Sequence, residues 1–137
     1  MFRNILVPVD FTEKNVPAVE IATEFARRSG AQLTLLHVIE ELDLQPSEST
    51  AFYRRLESQA KARMHEFVDK VPHEGVEMHQ SIVYGQRARM IVHTAAEKET
   101  DLIILSSHRI DPEIGQGWGT ISYQVALLSP CAVLLVK

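Results

Sequence analysis

The sequence predicts an α/β fold, a five-stranded, mainly parallel sheet with helices on both faces. Five short apolar runs alternate with four helical patterns along the 137 residues, the order expected of strands joined by crossover helices. Leu102 to Leu105 is the kind of short apolar run that sits inside a parallel sheet. It opens the segment DLIILSSHRIDPEIGQGWGT, Asp101 to Thr120, in which a strand runs through a glycine-bearing loop to the start of a helix.

The first strand is Asn4 to Asp10, a pattern that breaks at Pro8 and Asp10. Thr12 then suits the N-cap of a helix from about Glu13, with Val16, Val19, Ala22, Phe25 and Ala26 at helical spacing. Gly30, free to take a positive φ, closes it. The second strand is Gln32 to Ile39. Glu40 to Ser49, polar and with a proline, reads as the longest loop of the chain, of the sort that borders sites. The second helix spans roughly Thr50 to Val71 and turns Phe52, Leu56, Ala60, Met64, Phe67 and Val71 to the core. The third strand, Val76 to Val83, alternates as an edge strand with one partly solvated face would. Gly85 allows a tight turn into a third helix, about Gln86 to Lys98. The fourth strand is Asp101 to Ser106, the fourth helix about Thr120 to Leu128, and the fifth strand Ala132 to Val136.

Composition narrows the function classes. The length suits one domain, 1–137, and 45% hydrophobic with 23% charged residues is ordinary for a soluble globular protein. A net charge of -4 and scattered Lys and Arg argue against a nucleic-acid binder. Arg54, Arg55, Lys61 and Arg63 interleave with Glu57 and Glu66 as a solvated helix face does. The one cysteine, Cys131, excludes an internal disulfide and fits a reducing compartment, reading as a buried structural thiol. The N-terminus lacks a signal-peptide pattern, and no apolar run approaches the roughly 20 residues of a membrane span. A cytoplasmic protein without membrane insertion is expected.

Several chemistries are missing from the sequence. No glycine is followed by Lys and then Ser or Thr, so there is no Walker lysine motif. GQGWGT places Thr120 where a dinucleotide fingerprint needs its last glycine, and it follows strand four instead of strand one. The six histidines show no zinc spacing; His37 reads as a packed residue, while His108 stands in the candidate loop. Ser106 and Ser107 have no triad partners, and Asp111 and Glu113 are either metal-assisting or plainly solvated loop carboxylates. No catalytic residue emerges.

What remains is anion binding. The first turn of a helix carries outward N–H groups and the positive end of the macrodipole, so the junction ending at Thr120 suits phosphate. Gly115, Gly117 and Gly119 permit close backbone approach. Ligands of open α/β sheets collect at strand carboxyl ends where the strand order reverses. If strand one neighbours strand four, the crevice is lined by Val7 to Asp10, by His37 to Ile39, and by Ser106 to Thr120.

The chain resembles the universal stress protein family along its whole length, through ILVPVDF, LTLLHVIE, RARMIVHTAAEKETDLIIL after Gly85, and GTISYQVALLSPCAVLLVK. The resemblance implies a Rossmann-like nucleotide-binding topology. Its ATP-binding branch carries Gly, two residues, Gly, nine residues, Gly and then Ser or Thr. Here Ser106 and Arg109 stand at the first two glycine positions, and Gly119 and Thr120 keep the last two; Ser107, His108 and Arg109 look like an SHR variant found in some members.

By this resemblance the nucleotide-binding residues are Pro8, Val9, Asp10, Val38, Ser106, Ser107, His108, Arg109, Gly117, Gly119 and Thr120. Asp10 would meet the ribose or adenine side, the Val38 backbone the adenine, and Gly119 with Thr120 the distal phosphates. From the residues alone, the alternative for Asp10 is a turn or cap residue ahead of the first helix, and for Thr120 a simple N-cap, a role compatible with phosphate binding. Arg109 is either a phosphate ligand or exposed. The ligand implied is ATP, with or without Mg2+, or else AMP or ADP. Resemblance also implies a homodimer through Ala132, Val133, Leu134, Leu135 and Val136, an apolar strand that as a sheet edge would need covering. The leading expectation is a homodimeric adenine-nucleotide sensor or interaction module with an unidentified protein partner. The alternatives are a member that has lost nucleotide binding and works by dimerisation, and a slow ATP hydrolase.

Overall fold

A computed structural model describes residues 1–40, 46–107 and 120–137, with the backbone alone for 46–49. Its elements run β1 (Asn4–Pro8), a 3-10 turn (Glu13–Asn15), α1 (Val16–Ser29), β2 (Gln32–Ile39), α2 (Pro46–Lys70), β3 (Glu77–Tyr84), α3 (Arg87–Glu97), β4 (Leu102–Ser106), α4 (Ile121–Leu128) and β5 (Ala132–Val136). The five strands form one sheet in the order β3-β2-β1-β4-β5, every pairing parallel. The α/β class expected from the sequence is the fold found, with β1 at the centre and β3 and β5 at the edges.

The alternating in-and-out pattern of the central strands builds two cores. Ile5, Val7, Leu33, Leu35 and Ile104 pack on one face against α1 and α2, through Val19, Ala22, Met64 and Phe67. Leu6, Leu36, Val38, Ile103 and Leu105 pack on the other face against Ala88, Ile91 and Ala95 of α3 and Val125 of α4. Because both faces of β1, β2 and β4 are covered, their sequences read as continuous apolar runs. Among the described residues no helix is long and apolar enough to cross a membrane.

Several boundaries differ from the sequence expectation. Thr12 stands at the N-cap position of the 3-10 turn from Glu13 but makes no side-chain cap bond: its N–H and Oγ1–H both donate to Asp10 Oδ1, at 2.9 and 2.6 Å, and α1 itself begins only at Val16. The second helix starts at Pro46, since proline at a helix start loses no hydrogen bond there, so the expected long loop is shorter than Glu40 to Ser49. Phe25 lies on the rim of α1, 38% exposed and stacked on Phe2, instead of in the core. Cys131 is half-buried beside the Ser129 hydroxyl, not fully buried. Gly30 takes φ 72 and closes α1 with its N–H on Ala26 O, as expected.

The amino end of the β1–β4 seam is fastened by one carboxylate. Asp101 Oδ2 accepts the Arg3 N–H at 2.8 Å and Oδ1 accepts the Asn4 N–H at 3.1 Å. The Asp101 N–H donates in turn to Asn4 O at 3.0 Å.

Candidate functional site

At its other end the same seam is open, beside a proline. Gln32 N–H donates to Arg3 O and Val9 N–H donates to Leu36 O, so the odd-numbered residues of β1 face β2 and the even-numbered ones face β4. Pro8 falls on the β4 side with no N–H to give. The β1–β4 ladder consists of Ile5 with Leu102 and Leu6 with Ile103, whereas the β1–β2 ladder continues to Pro8 with Leu36. Between the parted carboxyl ends lies a cavity of about 700 Å³, within the size range of small-molecule sites. Its place is the point where the strand order reverses.

Sequence-predicted residues meet there from three directions. Pro8, Val9 and Asp10 form one lip, Val38 comes from β2, and Ser106, Ser107 and Thr120 border the opposite side. Val136, expected at a dimer interface, also borders the cavity, and its carbonyl accepts the Ser107 N–H at 2.7 Å. His108, Arg109, Gly115, Gly117 and Gly119 lie outside the described residues, as do Asp111 and Glu113.

Asp10 is a turn residue whose carboxylate also borders the cavity. Burial pushes its carboxyl up, but the Thr12 hydroxyl and N–H donated to it and the nearby Arg87 charge together prevail, holding it below the ordinary carboxylate value. It is therefore a firmly ionised acceptor at neutral pH. Thr120 is the N-cap of α4, with extended φ -65 and ψ 161, and its Oγ1 accepts the Tyr123 N–H at 3.4 Å. The first turn of α4 thus opens toward the cavity, where the Ser107 and Ser122 hydroxyls share a hydrogen bond of 3.1 Å.

Other residues bordering the cavity were not singled out by sequence reasoning. Asn15, buried at 5% exposure, accepts the Asp10 N–H on Oδ1 at 2.7 Å and donates from Nδ2 to Ser106 Oγ at 3.2 Å. Lys14, Arg87 and Lys137 are the basic side chains around the cavity and Asp10 is the acidic one among the described residues. Arg87 Nε lies 3.8 Å from Glu40 Oε1. Neither Asn15, whose Ser106 partner is 91 residues away, nor the scattered cations carry a sequence signal until the fold gathers them.

His37 stands behind this lip. Its Nδ1 carries the proton, donated to Val9 O at 2.8 Å, and its ring lies 4.3 Å from that of Phe11. Phe11 adopts φ 70, an unusual conformation for a bulky residue, and the Arg63 guanidinium sits 5.1 Å over its ring. Burial pushes the His37 imidazole below its ordinary value; the Val9 bond and Asp10 oppose this, while Arg63 and Arg87 reinforce it.

The model of the universal stress protein family matches residues 1–137. Universal stress protein YxiE of Bacillus subtilis is 27% identical over 148 residues, with 100% of both chains covered. A universal stress protein of Thermus aquaticus is 29% identical over 141 residues, again with 100% of both covered. The solved structure of MJ0577, a protein of Methanocaldococcus jannaschii, superposes with a TM-score of 0.83 at 28% identity, covering 100% of this chain and 96% of its own. A universal stress protein solved in complex with cAMP gives 0.76 at 19% identity, covering 99% and 97%. One from Archaeoglobus fulgidus in complex with dAMP gives 0.64 at 18%, covering 99% and 98%. These last two share the fold.

Proposed function

Because the chain belongs to the universal stress protein family, we propose that it binds an adenine nucleotide between β1 and β4 and acts as a homodimeric cytoplasmic sensor or interaction module. The observation that carries this reading is one cavity bounded by an ionised carboxylate at the β1 end, Asp10, and by the capped N-terminus of α4 at Thr120. Ribose hydroxyls would donate to Asp10, the Val38 backbone would meet adenine, and the N-terminal end of α4 would meet phosphate. Lys14, Arg87 and Lys137 favour an anion over a neutral ligand. The adenine ligands of two family structures support the class of base.

Gly119 and Thr120 keep the family's ATP pattern, and we assign His108, Arg109 and Gly117 to the phosphate side with them. The ligand is ATP, ADP or AMP. Mg2+ would enter with ATP, on its phosphate oxygens. The dimer would form through β5, a sheet edge whose side chains are only partly covered.

Titration calorimetry and thermal shift with ATP and Mg2+, ADP and AMP test the proposal. Saturable heat and a raised Tm are expected. No heat and no shift at millimolar nucleotide would overturn it and leave dimerisation and protein contacts as the function. Loss of affinity and of salt dependence in Arg109→Ala would make Arg109 a phosphate ligand.

A further inference from the structure

The backbone ladder between β1 and β4 stops at Leu6 with Ile103, before Pro8, yet beyond it the Asn15 carboxamide joins the two lips of the crevice. Asn15 is the N-cap residue of α1, at its junction with the 3-10 turn, where an asparagine oxygen would ordinarily accept a first-turn amide, yet its side chain makes no cap bond to its own helix. Instead Oδ1 takes the Asp10 N–H at 2.7 Å and Nδ2 reaches Ser106 Oγ at 3.2 Å. Asp10 is even-numbered, so its N–H points across the seam toward β4, where the ladder would have continued. Asn15 supplies the missing rung. A carboxamide suits this role because it carries an acceptor and a donor on one rigid plane, and the Asn15 side chain is held buried, at 5% exposure.

We infer that Asn15 is the positioning residue of the crevice: with Ser106 it fixes the separation of the β1 and β4 lips and, through the Asp10 backbone, the direction of the Asp10 carboxylate. The inference rests on the nucleotide reading for its binding consequence only. It also gives Ser106 a reason. A glycine at that position would leave the Asn15 Nδ2 donor without its hydroxyl, so the departure from the family's glycine and the asparagine on the opposite lip form a matched pair. Asp10 is then held twice, by Asn15 at its backbone and by Thr12 at its carboxylate.

The test uses Asn15→Ala, Ser106→Ala, the double variant and Asn15→Asp. In ligand-free protein, amide hydrogen exchange at Asp10 is expected to quicken about tenfold in Asn15→Ala, with the exchange of Leu6 and Leu36 unchanged. ADP affinity, measured by calorimetry well below each variant's Tm, is expected to fall about tenfold in Asn15→Ala, and the double variant should bind no worse than that single one. Asn15→Asp still accepts the Asp10 N–H and can accept from the Ser106 hydroxyl, but sets a second carboxylate beside Asp10. It should retain adenosine and lose ADP. Unchanged Asp10 exchange in Asn15→Ala overturns the inference whether or not nucleotide binds. So does strict additivity of the two alanine variants, or an ADP affinity equal to that of the wild type. If Asp10 exchange responds as expected while the wild type binds no adenine nucleotide, the nucleotide reading fails and the positioning role stands. Should Asn15→Ala not fold, Ser106→Ala and Asn15→Asp decide the matter by the same readouts.

Discussion

The His37 imidazole donates its Nδ1 proton to the carbonyl oxygen of Val9 at 2.8 Å, tying β2 to the residue just before Asp10. The ring is half-buried against Phe11, and that burial holds its pKa below the ordinary 6.5. The native state therefore binds fewer protons at this site than the unfolded chain. Stability from His37 is fully present above the unfolded value and is lost as pH falls through about 6.5 and below it. The expected result is a Tm that declines between pH 7.5 and 5, and a shallower decline in His37→Asn. Equal slopes in the two proteins would remove His37 as the cause.

Asp101 offers two carboxylate oxygens to the Arg3 and Asn4 amides, and neither partner is a side chain that could swing away. Asp101→Ala should cost about 1–3 kcal/mol, read as a lower urea midpoint with an unchanged slope. Nucleotide affinity should stay at the wild-type value, because this fastening lies at the opposite end of the strands from the crevice.

Gly85 takes φ 142, and a Cβ built there would stand 2.6 Å from Met90 Cγ and 3.0 Å from Met90 Sδ. Gly85→Ala meets both a disfavoured backbone and a crowded side chain, although Met90 is flexible. A loss of about 1–3 kcal/mol is expected in denaturant melts, and a melt like the wild type would show that the turn before α3 relaxes freely.

Thr120 caps α4 with a long bond to the Tyr123 amide and borders the crevice. Removing the cap in Thr120→Ala should lower stability by no more than about 1 kcal/mol. If phosphate sits at this helix start, ADP affinity should drop about tenfold in the same variant while adenosine affinity does not, and Thr120→Ser should restore it. Equal losses for the two ligands would move the phosphate elsewhere.

Val136 O accepts from Ser107 N–H across the β4–β5 ladder, so the neighbouring Val133 and Leu135 amides point away from β4 at the open edge. Val133→Pro therefore removes an outward N–H and leaves the inward ladder intact. The expected outcome, by sedimentation, is a shift from dimer to monomer with an unchanged circular dichroism spectrum. A dimer that persists at the same concentration would place the interface away from β5.

The parallel class was legible because β1, β2 and β4 are buried on both faces and so carry unbroken apolar runs, and β5 matched residue for residue, whereas the order of the strands comes only from the fold. The ends of elements were harder. Thr12 holds the N-cap position, but its hydroxyl is turned onto Asp10 Oδ1, and a 3-10 turn stands between it and α1, which begins at Val16. In the site, Asp10 and Thr120 could be read because a strand end and a helix start are local features. Asn15 could not, since its two partners are 5 and 91 residues away and only the tertiary fold brings them within reach. Arg87 and Lys137 are likewise gathered from distant segments.

The β1–β4 seam is clamped at one end by Asp101 and interrupted at the other by Pro8. A ligand seated in the open end would bridge strands that the backbone leaves unpaired at the middle of the molecule. A ligand present at 100 times its Kd would add about 2.7 kcal/mol to the folded state. Under the nucleotide reading, the survival time of the chain against proteolysis would then rise and fall with the cell's adenylate pool, so that its abundance, and not only its shape, would carry the signal.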